Sequence, residues 1–154
     1  MLTRTHLAIS LIAILLLVGY VNPEDRTIFI GITLLATLLP DVDTAYSKLG
    51  KYKIFRPLQI FVEHRGLIHS FTFLILVTFA FVFVYPVVSL PLFLGYSIHL
   101  FSDSFTIEGI RPFYPWSKTI SWKIKTGGKT ETVLFLIFLL CIIFLLLQRY
   151  TNVF

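Results

Sequence analysis

Three short stretches of this 154-residue chain carry side chains able to do chemistry: Leu39-Pro40-Asp41-Val42-Asp43, His64-Arg65-Gly66-Leu67-Ile68-His69-Ser70 and His99-Leu100-Phe101-Ser102-Asp103. All four histidines (His6, His64, His69, His99) and six of the eight acidic residues fall near the ends of apolar runs that share one side. Imidazoles and carboxylates are costly beside lipid and have a task where they occur there. Both types, fed by separate segments, point first to a metal site.

Each piece alone has a plainer alternative. His99 and Asp103 stand four apart, so on a helix they share a face with Cβ atoms roughly 5–6 Å apart. That suits two ligands of one metal, or a satisfied polar pair. Asp41 and Asp43 follow Pro40 and end a helix, but two acids this close repel unless a cation lies beside them. Gly66 lets the chain turn so that His64, on the incoming loop, and His69, in the first turn of the next helix, converge. Ser70 lacks the turn of a serine nucleophile and reads as a backbone or ligand-orienting hydroxyl. Glu131 follows Thr126-Gly127-Gly128-Lys129. It complements a helix N-terminus, or acts as ligand or general base while Gly-Gly and Lys129 hold a phosphate.

These residues need a scaffold, and the composition says which. The chain is 56% hydrophobic and 14% charged, far more apolar than a water-soluble domain. Five apolar segments emerge, at about 6–20, 27–39, 67–85, 87–102 and 132–148. Between Gly66 and Ser102 no Asp, Glu, Lys or Arg occurs. That run is too long for one crossing of roughly 20 helical residues, and Tyr85-Pro86 is the expected hairpin break. The expected fold is all-α: an integral membrane bundle of about five transmembrane helices, residues 1–154 forming one domain. Arg4 precedes an apolar run with no small-residue cleavage site after it, so the first segment is expected to stay as a span. Cys141 lies inside an apolar run and reads as a small hydrophobe.

Five crossings put the N-terminus and the 40–66 and 103–131 loops on one side with eleven of the thirteen Lys and Arg residues, leaving Arg26 and Arg149 opposite. The positive-inside rule makes the crowded side cytoplasmic and the C-terminus external. Both loops mix cations with bulky apolar residues, among them Trp116 and Trp122, as interfacial segments and short amphipathic helices do. No nucleic-acid-binding pattern is evident.

Thr5-His6, Leu39 to Asp43, His64 to Ser70, and Gly95-Tyr96-Ser97-Ile98-His99-Leu100-Phe101-Ser102-Asp103 with Thr106 and Gly109 resemble, in order and spacing, the YdjM-like family of membrane-bound predicted metal-dependent hydrolases. The resemblance covers nearly the whole chain. That family is distantly similar to zinc-dependent phospholipase C, whose site uses a His-x3-Asp pair that His99 and Asp103 match. This implies phosphoester hydrolysis; the phospholipase's second pair, His-x3-Glu, is absent, since Glu131 has no histidine four residues before it.

The expected function is therefore a hydrolase of the inner membrane acting on a phosphoester, in a lipid or lipid-linked substrate, at the cytoplasmic headgroup level. His6, Asp41, His64, His69, His99 and Asp103 are the expected ligands of a divalent metal. Zinc or manganese suits their nitrogen and oxygen donors, and the donor count suggests two ions. Asp43 or Glu131 would take the proton from water, and Arg65 and Lys129, with Arg111, would face phosphate oxygens. Two rivals remain: an ion or proton transporter, and a membrane protein whose metal only stabilises the bundle.

Overall fold

The computed structural model describes residues 1–63, 65–116 and 118–151. These form helices α1 (Thr3–Val21), α2 (Arg26–Leu38), α3 (Arg56–Phe61), α4 (Phe71–Val84), α5 (Pro86–Ser104) and α6 (Lys129–Thr151), with 3-10 turns at Pro40–Asp43 and Lys53–Phe55. No β-strand occurs among the described residues.

Local chemistry sets the boundaries. Asn22 ends α1 in a left-handed conformation, φ 41°, and Pro23 follows. The Asp25 carboxylate caps α2 by accepting from the N–H groups of Thr27 and Ile28 at 2.8 and 3.0 Å, answering two of the unpaired donors at a helix start. Tyr85 closes α4 and Pro86 opens α5, where a proline has no hydrogen bond to lose. The Ser70 hydroxyl caps α4, accepting from Phe73 N–H at 3.2 Å. His69 thus lies just before α4 rather than in its first turn.

The five apolar segments of the sequence are the five longer helices. Of these, α1 and α6, with 19 and 23 residues, are long and apolar enough to cross a membrane. The helices α2 and α4 have 13 and 14 residues, short of the roughly 20 that a full crossing takes, and α5 carries Pro91, His99 and Asp103.

Helix α2 is central, packed along α5 and against α1; α5 also packs on α4, and α6 leans on α1. The α2–α5 crossing is close because position 95 is glycine: a Cβ there would stand 2.1 Å from the Thr33 carbonyl oxygen. Small residues are how membrane helices let backbones approach. After α5 the chain folds back on itself. Ile110 and Ile120 exchange backbone bonds of 3.0 and 2.9 Å, and Trp122 N–H bonds Thr106 C=O at 2.9 Å. Gly109, φ 63°, makes the bend; a Cβ there would lie 2.2 Å from Ile120 O, and φ > 0 is itself adverse for other residues. This clasp bonds the head of α4 through Phe71 N–H and Pro112 C=O, 2.8 Å apart.

Val42, Ile68, Leu74, Tyr96, Leu100 and Ile110 form one buried apolar cluster. A second, Ile14, Val18 and Phe29, lies between α1 and α2. Much of the remaining apolar surface faces outward: Leu136, Leu140, Phe144 and Leu147 of α6 are all exposed, as suits helices whose surroundings are lipid.

Candidate metal centre

Helix ends bring the chemistry together. The start of α1 supplies His6, the turn after α2 supplies Asp41, the residue before the α4 cap supplies His69, and the last turns of α5 supply His99 and Asp103. His6, His69, His99 and Asp103 are buried, while Asp41 is partly exposed. Their ligand atoms form two groups, His6 with His99 and Asp103, and Asp41 with His69 and His99; within each, the atoms lie within 4.8 Å of one another.

The separations suit a small cation. His6 Nε2 lies 3.3 Å from Asp103 Oδ1, and His99 Nε2 lies 3.7 Å from both Asp103 Oδ2 and Asp41 Oδ1. His69 Nε2 is 3.9 Å from Asp41 Oδ1 and from Asp103 Oδ2. Tetrahedral zinc with bonds near 2.0–2.1 Å separates its ligand atoms by about 3.3 Å. His6 stacks on His99 with ring centroids 4.0 Å apart.

The opposite ring nitrogens show which atom each histidine offers. His99 Nδ1 is 2.7 Å from the Thr37 carbonyl oxygen, which can only accept, so Nδ1 carries the hydrogen and Nε2 a lone pair. His69 Nδ1 is 2.8 Å from Asp43 Oδ2, with the same consequence. His6 Nδ1 is 3.2 Å from Ser102 Oγ; that hydroxyl donates to Ile98 C=O and so accepts from His6. Three imidazole lone pairs therefore face two carboxylates. Nε2 of His6 and of His99 are buried with no hydrogen-bond partner among the described residues. Ring nitrogens without hydrogens gathered beside carboxylates suit a cation, and the carbonyl behind His99 and the carboxylate behind His69 are the usual supports of a ligating histidine. Burial raises the Asp41 carboxyl above its ordinary range, against the lowering influence of His6 and His69.

Other expected site residues have different partners. Asp43 is buried and holds His69 Nδ1 and the Arg65 backbone N–H, at 2.8 and 3.1 Å. Glu131, 1% exposed, accepts from Leu2 N–H at 2.6 Å, Thr5 hydroxyl at 2.8 Å and Gly127 N–H at 2.6 Å. Both its oxygens are thus engaged in tying α6 and the 126–128 loop to α1. Lys129 is exposed at the start of α6, with no bond to the centre among the described residues. His64 lies outside the described residues. Thr37 and Ser102, which orient His99 and His6, were not singled out in the sequence; Ser102 stands between the His99 and Asp103 of the motif.

Arg65 reaches the centre directly. Its backbone is left-handed, φ 61°, a conformation adverse for a non-glycine residue and frequent at functional sites. Its guanidinium donates to the Gly109 carbonyl and lies 3.2 Å from Asp103 Oδ2. Asp103 also bonds the Met1 amine. Arg65 lines a polar cavity of about 200 Å³ with Glu108, Arg111 and Thr119. Arg111 is paired there with Glu63 at 3.1 Å.

No curated protein and no solved structure matches the chain, so the likeness to zinc-dependent phospholipase C stands on the spacing of His99 and Asp103 alone. A family model described as YdjM inner membrane protein matches residues 1–153, and the chain belongs to that family.

Proposed function

We propose that this chain is a membrane-bound, metal-dependent hydrolase of phosphoesters, with its centre at the cytoplasmic headgroup level. The observation that carries the reading is the gathering of ring nitrogens of His6, His69 and His99 with the carboxylates of Asp41 and Asp103 in two groups of ligand atoms, each within 4.8 Å. His6, Asp41, His69, His99 and Asp103 would hold a divalent ion, zinc or manganese. When bound, such an ion lowers the pKa of water and polarises a phosphoryl oxygen. The two donor groups share His99 Nε2, which has one lone pair, so the second ion expected from the sequence needs further ligands.

The chain's own residues do the rest. Arg65 lies between Asp103 and the polar cavity, placed to meet a phosphate oxygen as a charge-assisted donor. Asp43, behind His69 and outside the donor set, is the carboxylate that would take a proton. Thr37, Asp43 and Ser102 hold the three rings in their ligating orientation. Were all five apolar helices to cross, eleven cations would share the side of the centre, which supports a cytoplasmic position for this chemistry. The exposed Trp116, Trp122, Ile54 and Ile60 would sit among headgroups around it.

The test is purified protein with its metal quantified, assayed on phosphatidic acid and on a soluble aryl phosphate. Stoichiometric metal and hydrolysis, both lost in His99→Ala and Asp103→Ala, are expected. Metal-free wild-type protein, indistinguishable from the two variants, would remove the reading. Tight metal without hydrolysis would favour a structural ion, and metal or proton flux in liposomes a transporter.

A further inference from the structure

Between Thr44 and Val62 the chain carries four cations, Lys48, Lys51, Lys53 and Arg56, and no acidic residue. All four are exposed. The carboxylate pairs nearby belong to Arg65 and Arg111. These four make none among the described residues; Lys51 rests over the Tyr52 ring, and Arg56 donates to Gln59 Oε1 at 3.5 Å. Apolar side chains stand between the cations. Ile54 is 80% and Ile60 77% exposed, and Tyr52 and Leu58 are exposed too. Leu49 and Phe55 turn the other way and pack on the buried cluster that contains Val42 and Leu100. The segment is thus fixed to the bundle by one face and turns a cationic and apolar face outward.

Its inner hydrogen bonds run to the turn that bears Asp41 and Asp43. The Gln59 amide donates to Val42 C=O at 2.8 Å and to Gly50 C=O at 2.7 Å. The Ser47 hydroxyl donates to Asp41 C=O and accepts from Gly50 N–H at 2.8 Å. The two carbonyls that separate Asp41 from Asp43 along the chain are therefore held by Ser47 and Gln59, one at each end of the cationic segment. Asp41 belongs to one of the donor groups and Asp43 supports His69.

We propose that residues 48–60 are a docking surface for an anionic lipid leaflet, and that contact with the leaflet firms the Pro40–Asp43 turn through Gln59. Lysine and arginine are drawn to the negative surface of such a leaflet, and Ile54, Leu58 and Ile60 gain by entering its headgroup layer. A soluble acidic partner would match the charges and leave these three apolar side chains in water. The family of the chain is one of inner membrane proteins, so a leaflet is at hand. The proposal needs neither a bound ion nor a reaction, and it stands or falls apart from the phosphoesterase reading.

The full chain is placed in nanodiscs of dioleoyl phosphatidylcholine, alone or mixed equally with dioleoyl phosphatidylglycerol. A spin label on Ile54→Cys, in a Cys141→Ser background, reports by its collisions with oxygen and with a water-soluble nickel chelate whether the segment lies in lipid or in water. Hydrogen exchange of residues 42–50 reports on the turn in the unlabelled chain. With phosphatidylglycerol the label is expected to enter lipid, and the amides of 42–50 to exchange at least tenfold more slowly. High salt, which screens exposed charges, should reverse both effects in the same protein. The combined Lys48→Gln, Lys51→Gln, Lys53→Gln and Arg56→Gln variant should show neither. Gln59→Ala should keep the response of the label and lose that of the exchange. A label that sits equally deep in both discs, or whose depth ignores salt and charge removal, overturns the anionic docking surface. Exchange that ignores phosphatidylglycerol in wild type, or still responds in Gln59→Ala, overturns the link to the turn. A label that stays in water in both discs and is immobilised by added polyglutamate would give the surface to a soluble acidic partner and overturn the proposal as well.

Discussion

A single hydrogen bond decides what each histidine of the centre can do. Thr37 C=O at His99, Asp43 at His69 and Ser102 at His6 put the lone pair of every ring on the same side. Removing such a partner typically weakens metal binding 10–100-fold. Asp43→Ala and Ser102→Ala are therefore expected to lower metal affinity by that factor while the helices still form; competition with a metallochromic chelator measures it. Removing a ligand itself, as in His99→Ala, is expected to bring bound metal in the purified protein below a tenth of the wild-type content by elemental analysis. The members of the cluster were legible in the sequence because His and Asp at the ends of apolar runs have few other uses. Their supports were less so. Thr37 acts through its carbonyl, which every residue has, and the place of Asp43 behind His69 depends on a contact across 26 residues. Glu131 shows the opposite failure: its sequence surroundings suited a base or ligand, but Leu2, Thr5 and Gly127 claim both oxygens.

At the scale of elements, the centre is only as well placed as the crossing of α2 on α5, since α2 leads into Asp41 and α5 carries His99 and Asp103. Gly95→Leu pushes a side chain into the Thr33 carbonyl and is expected to cost about 1–3 kcal/mol, the usual range for overpacking. It should lower the thermal midpoint and the metal content together, in a melt followed by elemental analysis. The helices themselves were readable, since the five apolar runs match α1, α2, α4, α5 and α6 to within a few residues. The clasp after α5 was not. Its bonds join Thr106 to Trp122 and Ile110 to Ile120 with neither alternation nor a two-residue turn to announce them. The short lengths of α2 and α4 also follow from local stops, Pro40 after one and the Ser70 cap before the other, rather than from hydropathy.

For the whole molecule, metal and fold should be coupled, because donors from four separate segments meet at one point. Anything that binds only the folded state stabilises it, by about 2.7 kcal/mol when present at 100 times its Kd. Chelation is expected to lower the melting temperature of wild type and to leave His99→Ala, already metal-poor, unchanged; scanning fluorimetry with and without chelator checks this. The orientation is tested by cysteine labelling in a Cys141→Ser background. Tyr46→Cys, at a 99% exposed position, should react with an impermeant maleimide only from the cytoplasmic face, and Glu24→Cys only from the opposite one. The charge count predicts that orientation without any coordinates, whereas the number of full crossings depends on how the bilayer meets the two short helices. One feature of the layout bears on how the molecule is made. Every candidate donor seen in the centre lies at or before Asp103, and α6, which packs on the α1 helix of His6, supplies none of them. The ribosome thus adds all of these candidate donors before it begins the final helix, so the proposed ion would not have to wait for that helix to be made.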